Sequence, residues 1–145
     1  MRYAIVALLA AAILVPALAM GRDTIQRAAY NGDLAQVEAH IRSGADPDAR
    51  DAFGGTALHA AMFQKNMAVV RLLIESGWDV NARGRSNGYT PLHDAVWAEN
   101  LEAARLLLKS GARLDIAGKD GLTPLEKARK EGKGAIATVL ETHDR

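Results

Sequence analysis

A short phrase occurs three times in this chain. It reads T-A-L-H-A-A from Thr56, T-P-L-H-D-A from Thr90 and T-P-L-E-K-A from Thr123, with starts 34 and 33 residues apart. Self-similarity at that period marks a stacked-repeat architecture, in which no single unit can bury its own apolar face and each needs its neighbours. Such stacks work by presenting an extended surface rather than a catalytic cleft.

Laid out at this period, each unit reads as two helices. In the second unit Leu58, Ala61 and Met62 share one face of a first helix, and Val69, Val70, Leu72 and Leu73 share a face of a second. The third unit repeats the pattern with Leu92, Ala95 and Val96, then Ala103, Ala104, Leu106 and Leu107. Apolar residues three and four apart are the signature of a half-buried helix. Thr56, Thr90 and Thr123 stand where an N-cap is needed, and Pro91 and Pro124 follow at the first helical position, where a missing N–H costs nothing. Gly44, Gly77 and Gly111 fall where the second helix ends with a residue tolerant of positive φ. Turn-rich stretches, such as Ser86-Asn87-Gly88 and Lys119-Asp120-Gly121, separate the units.

The phrase Gly88-Tyr89-Thr90-Pro91-Leu92-His93 and the stretch Gly77-Trp78-Asp79-Val80-Asn81-Ala82 closely resemble the ankyrin repeat, and Gly44-Ala45-Asp46-Pro47-Asp48-Ala49 is a near match. The resemblance covers roughly residues 22 to 143. It implies an all-α solenoid of four repeats, at about 22–50, 51–83, 84–117 and 118–145, each a helix-turn-helix unit joined to the next by a β-hairpin-like loop. The first repeat lacks the T-P-L-H phrase. The fourth carries Glu126 in place of His and Arg129 in place of a small apolar residue. Polar substitutions of this kind suit capping repeats with one face in solvent, so two full repeats stand between two caps. The one-residue excess between repeats two and three falls within Arg83–Gly88, at a hairpin tip, and such insertions map to loops.

The first 19 residues stand apart from the repeats. Arg2 supplies a positive start, Ala4 to Val15 is an apolar run of 12, and Ala17-Leu18-Ala19 fits the small-x-small rule for signal peptidase. The run is short for a bilayer span. The expectation is an exported chain, periplasmic in a bacterium, with residues 1–19 removed and 20–145 forming the repeat domain without stable membrane association. An uncleaved leader anchoring a membrane scaffold is the alternative. Loss of Arg2 takes the formal charge from +1 to 0. A neutral chain lacks the basic footprint of a nucleic-acid binder. The absence of cysteine excludes disulfides, thiolate metal sites and cysteine nucleophiles.

Residues that could carry chemistry are few. His59 and His93 occupy the family's T-P-L-H position, where the resemblance implies bonds within and between hairpins. As metal ligands they would come from adjacent helices with axes about 8–10 Å apart, a poor start for sharing one zinc at about 2.1 Å. Three of the four serines directly precede the helix-ending glycines, Asp94 is read as pointing away from His93, and no phosphate-binding glycine loop exists. The expectation is no metal, no cofactor and no enzymatic activity.

What remains is surface. Ankyrin-like stacks grip partners on the concave side, formed by hairpin tips and the exposed face of each first helix. The corresponding pairs are Tyr30-Asn31, Phe63-Gln64, Trp97-Ala98 and Lys130-Glu131, so three of the chain's seven aromatic residues recur at one repeat position. Aromatic side chains are common interface anchors, with extra packing as the alternative role for such a stripe. Phe53 and Tyr89 lie near tips, with Arg50, Arg83, Arg85 and Lys119 around them. The candidate protein-binding residues are therefore Tyr30, Phe63, Gln64, Trp97, Phe53, Tyr89, Arg50 and Arg85, an aromatic centre with a basic edge suited to an acidic patch on a partner. Resemblance to small exported bacterial ankyrin proteins implies a monomer when free, and two partner classes. One is a periplasmic redox enzyme such as a catalase. The other is a secreted toxin such as a phospholipase, with this chain as its immunity protein.

Overall fold

The computed structural model describes residues 23–143, so the expected leader lies outside the described residues. The elements run α1 (Ile25–Asn31), α2 (Leu34–Arg42), α3 (Ala57–Ala60) continued by a 3-10 turn (Ala61–Phe63), α4 (Met67–Glu75), α5 (Pro91–Trp97), α6 (Leu101–Lys109), α7 (Pro124–Lys130) and α8 (Gly134–His143). The helices form two layers. An inner row α1, α3, α5, α7 and an outer row α2, α4, α6, α8 stack in chain order, and each inner helix packs on its own outer partner. This is the four-repeat solenoid expected from the period.

The core lies between the layers and is built by the residues the period selects. Leu58, Ala61, Met62, Val69, Val70 and Leu73 of the second repeat are completely buried, as are Leu92, Ala95, Val96, Ala103, Ala104 and Leu107 of the third. Leu72 and Leu106 are only half-buried, because they sit at the border of the apolar stripe. Trp78, in place of the family's small residue after Gly77, is buried as well.

Each inner helix is started by the same device. Thr56 and His59 form a capping box, with the imidazole Nδ1 accepting from the Thr56 N–H at 3.1 Å, and Thr90 and His93 repeat the geometry. Thr123 and Glu126 do the same with a carboxylate, so the capping bond itself does not require a histidine. The other imidazole nitrogen crosses to the next repeat: His59 Nε2 bonds Tyr89 O and His93 Nε2 bonds Leu122 O, both at 3.0 Å. Gln26, at the equivalent position of repeat one, instead donates to Ala49 O at the end of its own repeat. Gly44, Gly77 and Gly111 close the outer helices at φ 84, 98 and 94°, a left-handed conformation that costs glycine little.

No strand forms among the described residues; each hairpin-like connection is closed by a backbone bond across its base. Asp51 N donates to Gly55 O, Gly118 N to Leu122 O, and Gly84 N to Tyr89 O. The middle pair spans one more residue than the other two, which locates the extra residue of the 34-residue spacing at the tip, Gly84–Tyr89. A second ladder runs along the turns between inner and outer helices. Asn66 Nδ2 donates to Gly32 O, Asn100 Nδ2 to Met62 O and Gln64 O, and Lys133 Nζ to Trp97 O, each tying a repeat to the one before.

Candidate functional site: an aromatic groove on the concave face

The capped starts of the inner helices aim one repeat position out of the stack. Asp23-Thr24-Ile25-Gln26-Arg27-Ala28-Ala29-Tyr30 aligns with Thr90-Pro91-Leu92-His93-Asp94-Ala95-Val96-Trp97, so Tyr30, Phe63 and Trp97 are equivalent. Their rings touch in series. Tyr30 and Phe63 lie 6.2 Å apart between centroids, tilted by 35°, and Phe63 and Trp97 lie 5.9 Å apart at 84°. The three remain 57, 40 and 59% exposed. They are not buried under the neighbouring tips, and the extra-packing alternative does not describe them.

This staircase lines a groove of about 790 Å³ whose other wall is made by the tips of repeats two and three. Phe53, almost fully exposed, stands on that wall with Asp51, Gly84, Ser86 and Asn87. The tips are locked to each other: Arg85 N donates to Gly54 O, and Ser86 Oγ donates to Phe53 O at 2.7 Å. Ser86, within the lengthened tip of the third repeat, thus reaches back to hold the backbone of Phe53.

The groove floor is polar in a graded way. The residue three before each aromatic is Arg27 in repeat one, Ala60 in repeat two and Asp94 in repeat three, and all three line the groove. Residues three apart share a helix face, so each pairs with its aromatic. Asp94 is only 8% exposed. Burial, reinforced by the charge of Asp51, pushes its carboxyl up to about 7. His59 also faces the groove, and burial lowers its pKa, which keeps the imidazole neutral.

The remaining sequence-selected residues lie outside the groove lining, and each is engaged in the scaffold. Gln64 donates to Ala61 O and Asn66 O and accepts from Asn66 N. Arg50 Nη1 donates to Arg83 O at 2.8 Å. Arg83 Nη2 donates to Ala117 O at 2.7 Å, and Lys119 Nζ to Arg85 O at 2.7 Å. The basic edge is therefore largely a set of ties between successive tips, with Arg85 contributing its backbone. Tyr89 stacks flat on His93, 4.9 Å between centroids at 4°. Its hydroxyl donates to Asp120 at 2.7 Å, and Lys127 Nζ lies 4.7 Å from the ring centre. Tyr89 thus clamps repeat three to repeat four.

Asp94 is the groove residue that sequence reasoning passed over. The signal for it was present in its spacing of three from Trp97. Among the described residues no group of three or more His, Asp or Glu is placed to hold a metal ion, and no helix is long and apolar enough to cross a membrane.

A stack of paired helices joined by hairpin-like tips, with an exposed concave groove, defines a repeat-type interaction module. The family profile described as "Ankyrin repeats (3 copies)" matches residues 25–120, and the chain belongs to that family. Among curated proteins it is similar to the human protein named ankyrin repeat domain-containing protein 39, at 42% identity over 59 residues. The match covers 41% of this chain and 32% of the relative, so the chain spans about a third of that protein's length.

Proposed function

We propose that this chain is an exported, non-enzymatic binding protein that grips a segment of one specific partner protein in its concave groove, with Trp97 near the centre of the contact. One observation carries the reading: three aromatic side chains from successive repeats touch each other and still stay exposed. A contiguous apolar patch rimmed by polar groups marks an interaction surface, and large aromatics in such a patch supply most of the affinity. Export is supported by the apolar run and the A-L-A site before Met20. The partner classes are a periplasmic redox enzyme such as a catalase, which this chain would support, and a secreted toxin such as a phospholipase, which it would neutralise.

The test is affinity capture from a periplasmic extract with the wild-type chain and with Trp97→Ala and Phe63→Ala. One protein retained by the wild type and lost with both variants supports the reading, and its identity decides between redox enzyme and toxin. Retention of the same protein by both variants would move the binding surface elsewhere.

A further inference from the structure

We propose that the groove recognises a basic side chain, a lysine or arginine carried on an apolar segment of the partner, and that Asp94 is the carboxylate that receives it. The inference deepens the docking role above and rests on it.

Asp94 lines the groove, is 8% exposed as a residue, and its carboxylate makes no hydrogen bond or ion pair among the described residues, its oxygens keeping a small opening onto the groove. A carboxylate this sparsely hydrated and without a protein donor is held at a cost, which a ligand bringing a donor into the groove recovers. The surrounding groups do not supply it. His59 has both ring nitrogens engaged, with Thr56 and Tyr89. Asp51 adds a second negative charge, and its Oδ1 is held by the N–H groups of Phe53 and Gly55 at 2.9 and 3.0 Å. Arg27 stands at the equivalent position two repeats away and makes no ion pair with Asp94. The groove thus carries its carboxyl groups, Asp51 and Asp94, in repeats two and three and its arginine, Arg27, in repeat one, which also sets the direction in which a charged segment can lie.

Trp97 completes the subsite. It stands one helical turn from Asp94 on α5 and presents an exposed indole, the aromatic face that attracts cations best. A guanidinium can stack on an indole while its planar fork engages a carboxylate through two hydrogen bonds, so arginine fits better than lysine. Phe63, Tyr30 and Phe53 then receive the apolar neighbours of the basic residue.

The experiment is selection from a random peptide library displayed on phage, panned against the wild-type protein. Selected peptides are then synthesised with the basic residue as arginine or as its neutral isostere citrulline. They are titrated against the wild type, Asp94→Asn and Trp97→Ala. The expected result is enrichment of arginine or lysine flanked by apolar residues. Citrulline should weaken binding to the wild type at least tenfold, and binding to Asp94→Asn less than twofold. Peptides that need Trp97 but carry no enriched basic residue, or that feel citrulline equally in both proteins, overturn the inference and leave the docking role intact. Binders indifferent to Trp97→Ala, or no binders at all, overturn the docking role and the inference with it.

Discussion

The ring of Phe63 meets the ring of Trp97 edge to face, with centroids 5.9 Å apart and planes at 84°. The two belong to different repeats, so their relative placement is set by the stacking of α3 and its 3-10 turn on α5. An edge-to-face pair is worth about 0.5–1.5 kcal/mol beyond its buried area. That is enough to fix both side chains before a ligand arrives and so lower the entropy cost of binding.

Asp94 gives the first prediction. Its folded pKa of about 7 lies above the unfolded value near 3.8. The folded chain therefore takes up a proton that the unfolded chain does not between those limits. Its destabilising effect is full above pH 7 and fades as pH falls towards 4. Asp94→Asn should raise stability at pH 8 by on the order of 2–4 kcal/mol, with the gain shrinking to near zero at pH 4. Urea melts of both proteins across that range check it. An equal offset at every pH would show that the carboxylate is well hydrated in the folded chain.

The two capping histidines behave in the opposite sense. Burial lowers the pKa of His59 and His93. Their stabilisation is present above the unfolded value near 6.5 and is lost as pH falls below it. His59→Ala or His93→Ala should each cost about 2 kcal/mol, since each leaves a buried N–H and a carbonyl without partners. The double variant should lose less stability than the wild type between pH 7 and 5. Added zinc should shift neither melt.

Tyr89 separates clamp from ligand contact. Tyr89→Ala removes the stack on His93, the bond to Asp120 and the contact with Lys127. It should cost about 2–3 kcal/mol, by analogy with other large-to-small changes at half-buried sites, and change partner affinity less than twofold. Gly118→Ala should act similarly, because a Cβ there would lie 2.6 Å from the Tyr89 ring. Hydrogen exchange should show faster opening of α7 and α8 in both variants, with α3 and α4 unchanged. A large loss of affinity in Tyr89→Ala would return Tyr89 to the binding surface.

The period, the Thr and His caps and the helix-ending glycines made the fold legible, because each answers a backbone demand that recurs every 33 residues. The aromatic staircase was legible for the same reason. The tip residues were less so. Exposure at a tip can be read from sequence, but a long arginine has several carbonyls within reach, and its choice depends on the stacking geometry. Arg50 and Arg83 did carry a clue, since they stand one full period apart. Periodic residues serve the stack, and residues that break the pattern, such as Asp94 opposite Arg27 and Ala60, carry its particular chemistry.

Trp97→Ala tests the central claim most directly, with a thermal melt and a titration of the captured partner on the same protein. An exposed anchor predicts a melting temperature within a few degrees of the wild type and an affinity loss of about 2 kcal/mol or more, roughly thirtyfold. A stability loss of about 3–5 kcal/mol, the range for truncating a buried tryptophan, with affinity unchanged would contradict it.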